Sequence, residues 1–133
     1  MTATPAPRSG ALGADLGLHL LAKHDDGSVE VVLDAQPRHE REGGIVHGAM
    51  LMALLDSAMT GAVDAAVPAE DFIASATITT DFMKPAKQGR LVARGWLDRR
   101  GRSMAFARGE VRDADGNVVA RGNGIWAIQA RRA

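Results

Sequence analysis

The sequence predicts an α+β domain in which an antiparallel β-sheet wraps around one long buried central helix. Two observations carry this expectation. Residues 47–63 read His-Gly-Ala-Met-Leu-Met-Ala-Leu-Leu-Asp-Ser-Ala-Met-Thr-Gly-Ala-Val; these are mostly strong helix formers, apolar on nearly every face, and such a helix has to be buried. Beyond it, four strand-like segments at 72–83, 90–97, 103–112 and 118–128 are separated by turn signals at roughly even spacing, the pattern of an antiparallel meander. A greasy helix beside a strongly bent sheet is most economically packed inside it.

The elements follow in chain order. Residues 1–14 are small, polar and Pro-containing, so a flexible N-terminal tail is expected ahead of a single domain spanning 15–133. The amphipathic stretch 12–21 is compatible with a helical turn, and Ser-Val-Glu-Val-Val-Leu at 28–33 alternates in part and predicts the first strand. Residues 39–44, His-Glu-Arg-Glu-Gly-Gly, form a charged and then glycine-rich loop. The helix ends before Pro68. Pro85, Gly89, the Arg99-Arg100-Gly101-Arg102 segment and Asp113-Ala-Asp-Gly116 supply the later turns.

Composition removes several classes of function. At 133 residues there is room for one domain with its own core. Lys plus Arg balance Asp plus Glu at sixteen each, so no global field favours nucleic acid or an anionic membrane, and any anion must be held locally. There are no cysteines, which excludes disulfides and thiolate chemistry, and the spacing of His19, His24, His39 and His47 matches no zinc pattern. No apolar run reaches membrane-spanning length. A cytoplasmic protein without a metal is the expectation.

Asp56 is the anomaly. It lies mid-helix among apolar residues, although a carboxylate is costly to bury unpaired. Pairing with an arginine or with strand amides is the bland explanation. Gly48 lies at the predicted start of the same helix, where unpaired N–H groups can receive an oxyanion and a glycine admits a carbonyl closely. Eight residues of helix separate the two by about 12 Å, too far to meet one carbonyl carbon. If both serve one reaction, they come from different subunits, which requires a homodimer with two symmetric sites.

Gly44-Ile-Val-His-Gly-Ala, followed by Asp56, resembles the helix-start signature of the PaaI-type hotdog thioesterases, His-Gly-Gly with an Asp eight residues after the first Gly. Phe72-Ile-Ala-Ser-Ala-Thr-Ile-Thr-Thr-Asp-Phe-Met-Lys-Pro-Ala86 resembles that family's strand after the helix, and Gly89-Arg-Leu-Val-Ala-Arg-Gly95 and Asp115-Gly-Asn-Val-Val-Ala-Arg-Gly122 resemble its later strands. The similarity covers about residues 28–129. It implies a hotdog fold, dimeric and commonly paired again into a homotetramer, that hydrolyses acyl-CoA thioesters to a free acid and CoA without a cofactor.

The resemblance also implies roles. Asp56 takes the place of the general base or nucleophile, Gly48 of the oxyanion-hole glycine from the opposing subunit, and Ser75 of a serine that orients water or carboxylate. His47 shapes the helix start by hydrogen bonding, with direct proton transfer as the alternative. Two departures stand out. Ala49 replaces the usual second glycine, and Arg41 stands where many members carry asparagine. Arginine only donates hydrogen bonds, so Arg41 is open to three roles: clamping a substrate carboxylate or phosphate, pairing with Asp56, or standing as a solvated charge. His39 or Glu42 are alternatives for the missing role.

Arg99, Arg100 and Arg102, with Lys84 and Lys87, are candidates for the CoA phosphates, against the plainer reading of solvated surface charges. Met50, Leu51, Met52, Leu55 and Met59 are candidates for the acyl pocket, and most of them are expected in the core. The rival from another class is a non-catalytic acyl-CoA-binding hotdog module. A transcription regulator lacks room for a helix-turn-helix, and a dehydratase lacks a convergent His and acidic pair, since His47 and Asp56 share one helix.

Overall fold

In the computed structural model, which describes residues 10–130, the chain runs α1 (Gly10–Leu16), β1 (Leu18–Lys23), β2 (Val29–Ala35), β3 (Glu40–Arg41), β4 (Ile45–Val46), α2 (Gly48–Asp64), β5 (Phe72–Phe82), β6 (Gly89–Arg100), β7 (Met104–Arg112) and β8 (Val118–Gln129). Six strands form one antiparallel sheet in the order β1-β2-β6-β7-β8-β5, and β3 pairs with β4 apart from it. The long helix α2 packs on the sheet, as the residue pattern predicts. This is the hotdog architecture.

The helix seats closely because three glycines lie side by side across the sheet, Gly95 on β6 opposite Gly109 on β7, itself opposite Gly122 on β8. A Cβ at Gly95 would collide with the Ala58 carbonyl oxygen; at Gly109 it would meet Met59 Cγ at 3.1 Å, and at Gly122 Leu55 Cδ1 at 3.3 Å. The absent side chains leave a trough that Leu55 and Met59 fill. Leu54, Leu55, Ala58 and Met59 have no exposed surface, and each of the two leucines contributes about 1.5–3 kcal/mol by burial.

Several expectations are corrected. β1 has no counterpart in the predicted order, because its residues read locally as an amphipathic turn; pairing with β2, Leu18 opposite Leu33, makes it a strand whose Leu18 faces the core. The later strands are not a simple meander. β6, β7 and β8 follow one another, but β5 lies at the edge beside β8. The Pro85 region is therefore a crossover rather than a hairpin. Met83 and Lys84 N–H groups bond the Val119 carbonyl, and the Ala86 carbonyl accepts from Val46 N–H at 2.7 Å, so the loop passes beneath the start of α2. Arg99 and Arg100 belong to β6, not to the turn.

α2 is also not buried all round. Ala49 and Met52 are exposed, and Ala53, Asp56, Ser57 and Thr60 are half-buried, because the sheet covers one side of the helix only. Of the expected N-terminal tail, residues 1–9 lie outside the described residues and 10–14 are part of α1. No helix among the described residues is long and apolar enough to cross a membrane.

Candidate active site

Asp56 lies on the open stripe of α2, where the helix turns away from the sheet. Its Oδ1 accepts two hydroxyl hydrogen bonds, from Ser75 Oγ at 3.0 Å and Thr60 Oγ1 at 3.1 Å. Thr60 is one helical turn further on, the separation at which side chains on one helix meet. Ser75 reaches across from β5 beside an irregularity in the β5–β8 register between Ser75 and Thr77, a local kink of the kind that re-aims side chains. A cavity of about 190 Å³ opens beside the carboxylate, walled by Leu12, Gly13 and Leu16 of α1 and by Ala53, Asp56 and Ser57 of α2.

α1 is held over that cavity from behind. Arg38 Nη1 donates to the Asp15 carbonyl at 2.8 Å, and His39 Nε2 bonds the Leu16 carbonyl at 2.7 Å, which satisfies carbonyls at the end of a short helix. His39 Nδ1 accepts from Gln36 N–H at 3.0 Å. With both ring nitrogens engaged and the side chain buried, His39 is not available for the role of the missing asparagine.

Gly48 opens a different cavity, of about 320 Å³, lined by Arg41, Leu51, Phe82, Lys84 and Pro85. Its N–H is in the first turn of α2, where backbone donors lack intrahelical acceptors. His47 caps that turn, its Nδ1 accepting from Ala49 N–H at 3.0 Å. A Cβ on Gly48 would stand 3.1 Å from Phe82 Cε1, so the glycine keeps the Phe82 ring against the helix start. Within one protomer the Asp56 and Gly48 cavities are lined by separate sets of residues.

The remaining expected site residues divide. Arg41 is exposed beside Gly48, with Nη1 donating to the Glu42 carbonyl at 2.8 Å; it makes no pair with Asp56 within the protomer. Met52 is exposed one turn before Asp56, whereas Met50, Leu51, Leu55 and Met59 are buried. Lys84 is shared between the Gly48 cavity and a neighbouring one that includes Lys87. Arg99, Arg100 and Arg102 are exposed around the β6–β7 turn and line neither cavity. Among the described residues no cluster of three His, Asp or Glu could hold a metal ion.

A family model described as Thioesterase superfamily matches residues 43–120, from the glycine loop through Asp56 and Ser75 into β8. The chain belongs to the thioesterase superfamily. It is a thioester hydrolase of PaaI-like hotdog type. A Saccharolobus solfataricus protein named as a candidate esterase is 28% identical over 106 residues, 78% of this chain and 74% of that protein. A phenylacetic acid degradation-related protein from Ralstonia eutropha, described as a candidate thioesterase, shares 29% identity over 89% of each chain with a TM-score of 0.82. A variant of the phenylacetic acid degradation protein PaaI from Thermus thermophilus shares 28% identity over 87% of this chain and 96% of that one, with a TM-score of 0.78.

Sequence reasoning missed Thr60 as a partner of this thioesterase's central carboxylate, although its position four residues after Asp56 is a readable signal. It also missed the α1 wall, which depends on β1 bringing Leu18 back to the helix.

Proposed function

We propose that the protein hydrolyses acyl-CoA thioesters at two symmetric sites of a homodimer, each built from Asp56 of one subunit and the Gly48 N–H of the other. The observation that carries this reading is the division of the two groups between separate cavities of one protomer. A reaction needing both has to draw on a second copy, since roughly 12 Å of helix lies between them. β5 supports the pairing. It is an eleven-residue strand at the edge of the sheet, with Phe72 and Phe82 exposed at its ends, and long open edges of this kind call for a covering strand. The exposed Met104 and Phe106 on the outer face of β7 offer a surface for a second pairing into a tetramer.

In this site the Asp56 carboxylate, with Oδ1 engaged by Ser75 and Thr60, uses Oδ2 to take a proton from water. The water oxygen bonds the thioester carbon, and the carbonyl oxygen becomes an oxyanion held by the Gly48 N–H and the positive end of α2. Collapse breaks the C–S bond. The CoA thiolate leaves with the proton from Asp56, and the acid is released. Direct attack by Asp56 Oδ2, giving a mixed anhydride that water then cleaves, reaches the same products. No cofactor takes part, CoA entering as part of the substrate. Met52 and the α1 wall meet the acyl group, and Arg41 and Lys84 beside Gly48 meet CoA phosphates.

The test is release of free CoA thiol from a panel of acetyl-, hexanoyl-, benzoyl- and phenylacetyl-CoA. At least one is cleaved, and Asp56→Asn lowers kcat by about 10³-fold or more with the oligomer intact. Full activity in Asp56→Asn would sink the mechanism, and tight binding of the whole panel without cleavage would sink the assignment of acyl-CoA as substrate.

A further inference from the structure

We propose that Trp126 and Thr60 form a relay that positions the Asp56 carboxylate for reaction. The proposal rests on the reading of Asp56 as the catalytic carboxylate and adds Thr60, which lines the cavity beside it, and Trp126, which is buried behind Thr60 and lines no part of that cavity. The indole Nε1 of Trp126 donates to Thr60 Oγ1 at 2.9 Å, and Thr60 Oγ1 lies 3.1 Å from Asp56 Oδ1. An indole N–H can only donate, and an ionised carboxylate can only accept. Of these two partners of the Thr60 hydroxyl only Asp56 can accept, so the hydroxyl receives from Trp126 and donates to Asp56.

That direction is not the one a helical threonine ordinarily takes. Its hydroxyl commonly turns back to the carbonyl three or four residues earlier. Here the indole N–H fixes the position of the Thr60 oxygen, and the hydroxyl donates to the carboxylate instead. The donor itself cannot wander, because Trp126 is fully buried and sits on β8 directly opposite Ser75 on β5. This cross-strand pair grips one oxygen of Asp56 from two sides, Ser75 directly and Trp126 through Thr60. Rotation of the carboxylate about its last bond breaks both contacts. Oδ2 is thereby kept as the reacting oxygen.

The experiment uses the full chain and the panel member it cleaves fastest. Thr60→Val removes the hydroxyl at nearly constant shape, Thr60→Ser retains it, and Trp126→Phe keeps a ring but not the N–H. Thr60→Val lowers kcat by about 10- to 100-fold, the loss expected for a hydrogen bond to a charged group, and Trp126→Phe by about 2- to 10-fold, that expected for a bond between neutral groups; KM of Trp126→Phe stays within about twofold because the buried Trp126 lines no part of the cavity. Thr60→Ser keeps kcat within about threefold of wild type. The double variant is no slower than Thr60→Val alone, because Trp126 acts only through Thr60.

Unchanged kcat in Thr60→Val, equal losses in Thr60→Val and Thr60→Ser, or multiplying losses in the double variant would overturn the relay. If Trp126→Phe does not fold, judged by circular dichroism, the contrast between Thr60→Val and Thr60→Ser decides. An inactive Asp56→Asn beside a fully active Thr60→Val removes the relay and leaves the catalytic reading standing; an active Asp56→Asn removes both.

Discussion

His47 shows how one residue can be read as chemistry or as scaffold, and how the two are separated. Its Nδ1 lone pair is taken by the Ala49 N–H at the start of α2, so only Nε2 remains for anything else. A side-chain cap of this kind is worth about 1 kcal/mol. His47→Ala is therefore expected to lower the melting temperature by about 3–6 °C, and His47→Asn, whose amide oxygen accepts the same N–H, to restore both melting temperature and turnover. Restored stability with turnover still lost would assign the imidazole a proton-transfer role instead. Asp56 differs from His47 in that its environment is built partly by another element: the charge is plain in the sequence, but its two hydroxyl donors come from the next turn of α2 and from β5.

At the scale of an element, the turn between β7 and β8 is organised by one side chain. Asp113 Oδ1 accepts backbone N–H groups from Asn117 at 2.9 Å and Asp115 at 3.0 Å, and Gly116 supplies the positive φ of 83° that closes the turn. The Asn117 N–H, opposed by a smaller effect of burial and joined by Asp115 N–H and Lys84, holds the Asp113 carboxyl below its ordinary value. A carboxyl lowered on folding stabilises the fold above its unfolded value of about 3.9, and the contribution is lost as pH falls through the lower folded value. Asp113→Ala is accordingly less stable than wild type in urea at neutral pH, and the gap between their midpoints narrows below about pH 4. A gap independent of pH would show that the turn owes nothing to the ionised carboxylate. The turn is legible as Asp-Ala-Asp-Gly; the crossover after β5 is not, because Pro85 and Gly89 mark a change of direction without saying which strand comes next.

For the whole molecule, the proposed function rests on two half-sites per chain. If Asp56 and Gly48 act across a subunit boundary, mixing inactive Asp56→Asn with inactive Gly48→Val protein restores activity. Each mixed dimer then holds one site with both changes and one with neither, so random exchange returns about a quarter of wild-type activity. The Gly48 substitution acts locally, because its new Cβ would stand 3.1 Å from the Phe82 ring. No recovery after subunit exchange, verified by mass, would place both groups in one subunit.

The residues by themselves determine helix α2, the later strands and the oddity of a carboxylate on an apolar helix, because hydrophobic period, helix formers and turn residues act within a few positions of one another. They also carry the family resemblance through the glycine loop, the helix start and the strand ending in Pro-Ala. Only the tertiary structure decides that β1 is a strand, that β5 is an edge and that α2 keeps one open face. It gives the hydrogen bond between Asp56 and Ser75, 19 positions away, which the family resemblance implies, and it alone joins Thr60 to Trp126, 66 positions away. Those contacts form where separate strands are brought against the helix by the glycine trough of the sheet, and no local pattern in the chain encodes such a meeting.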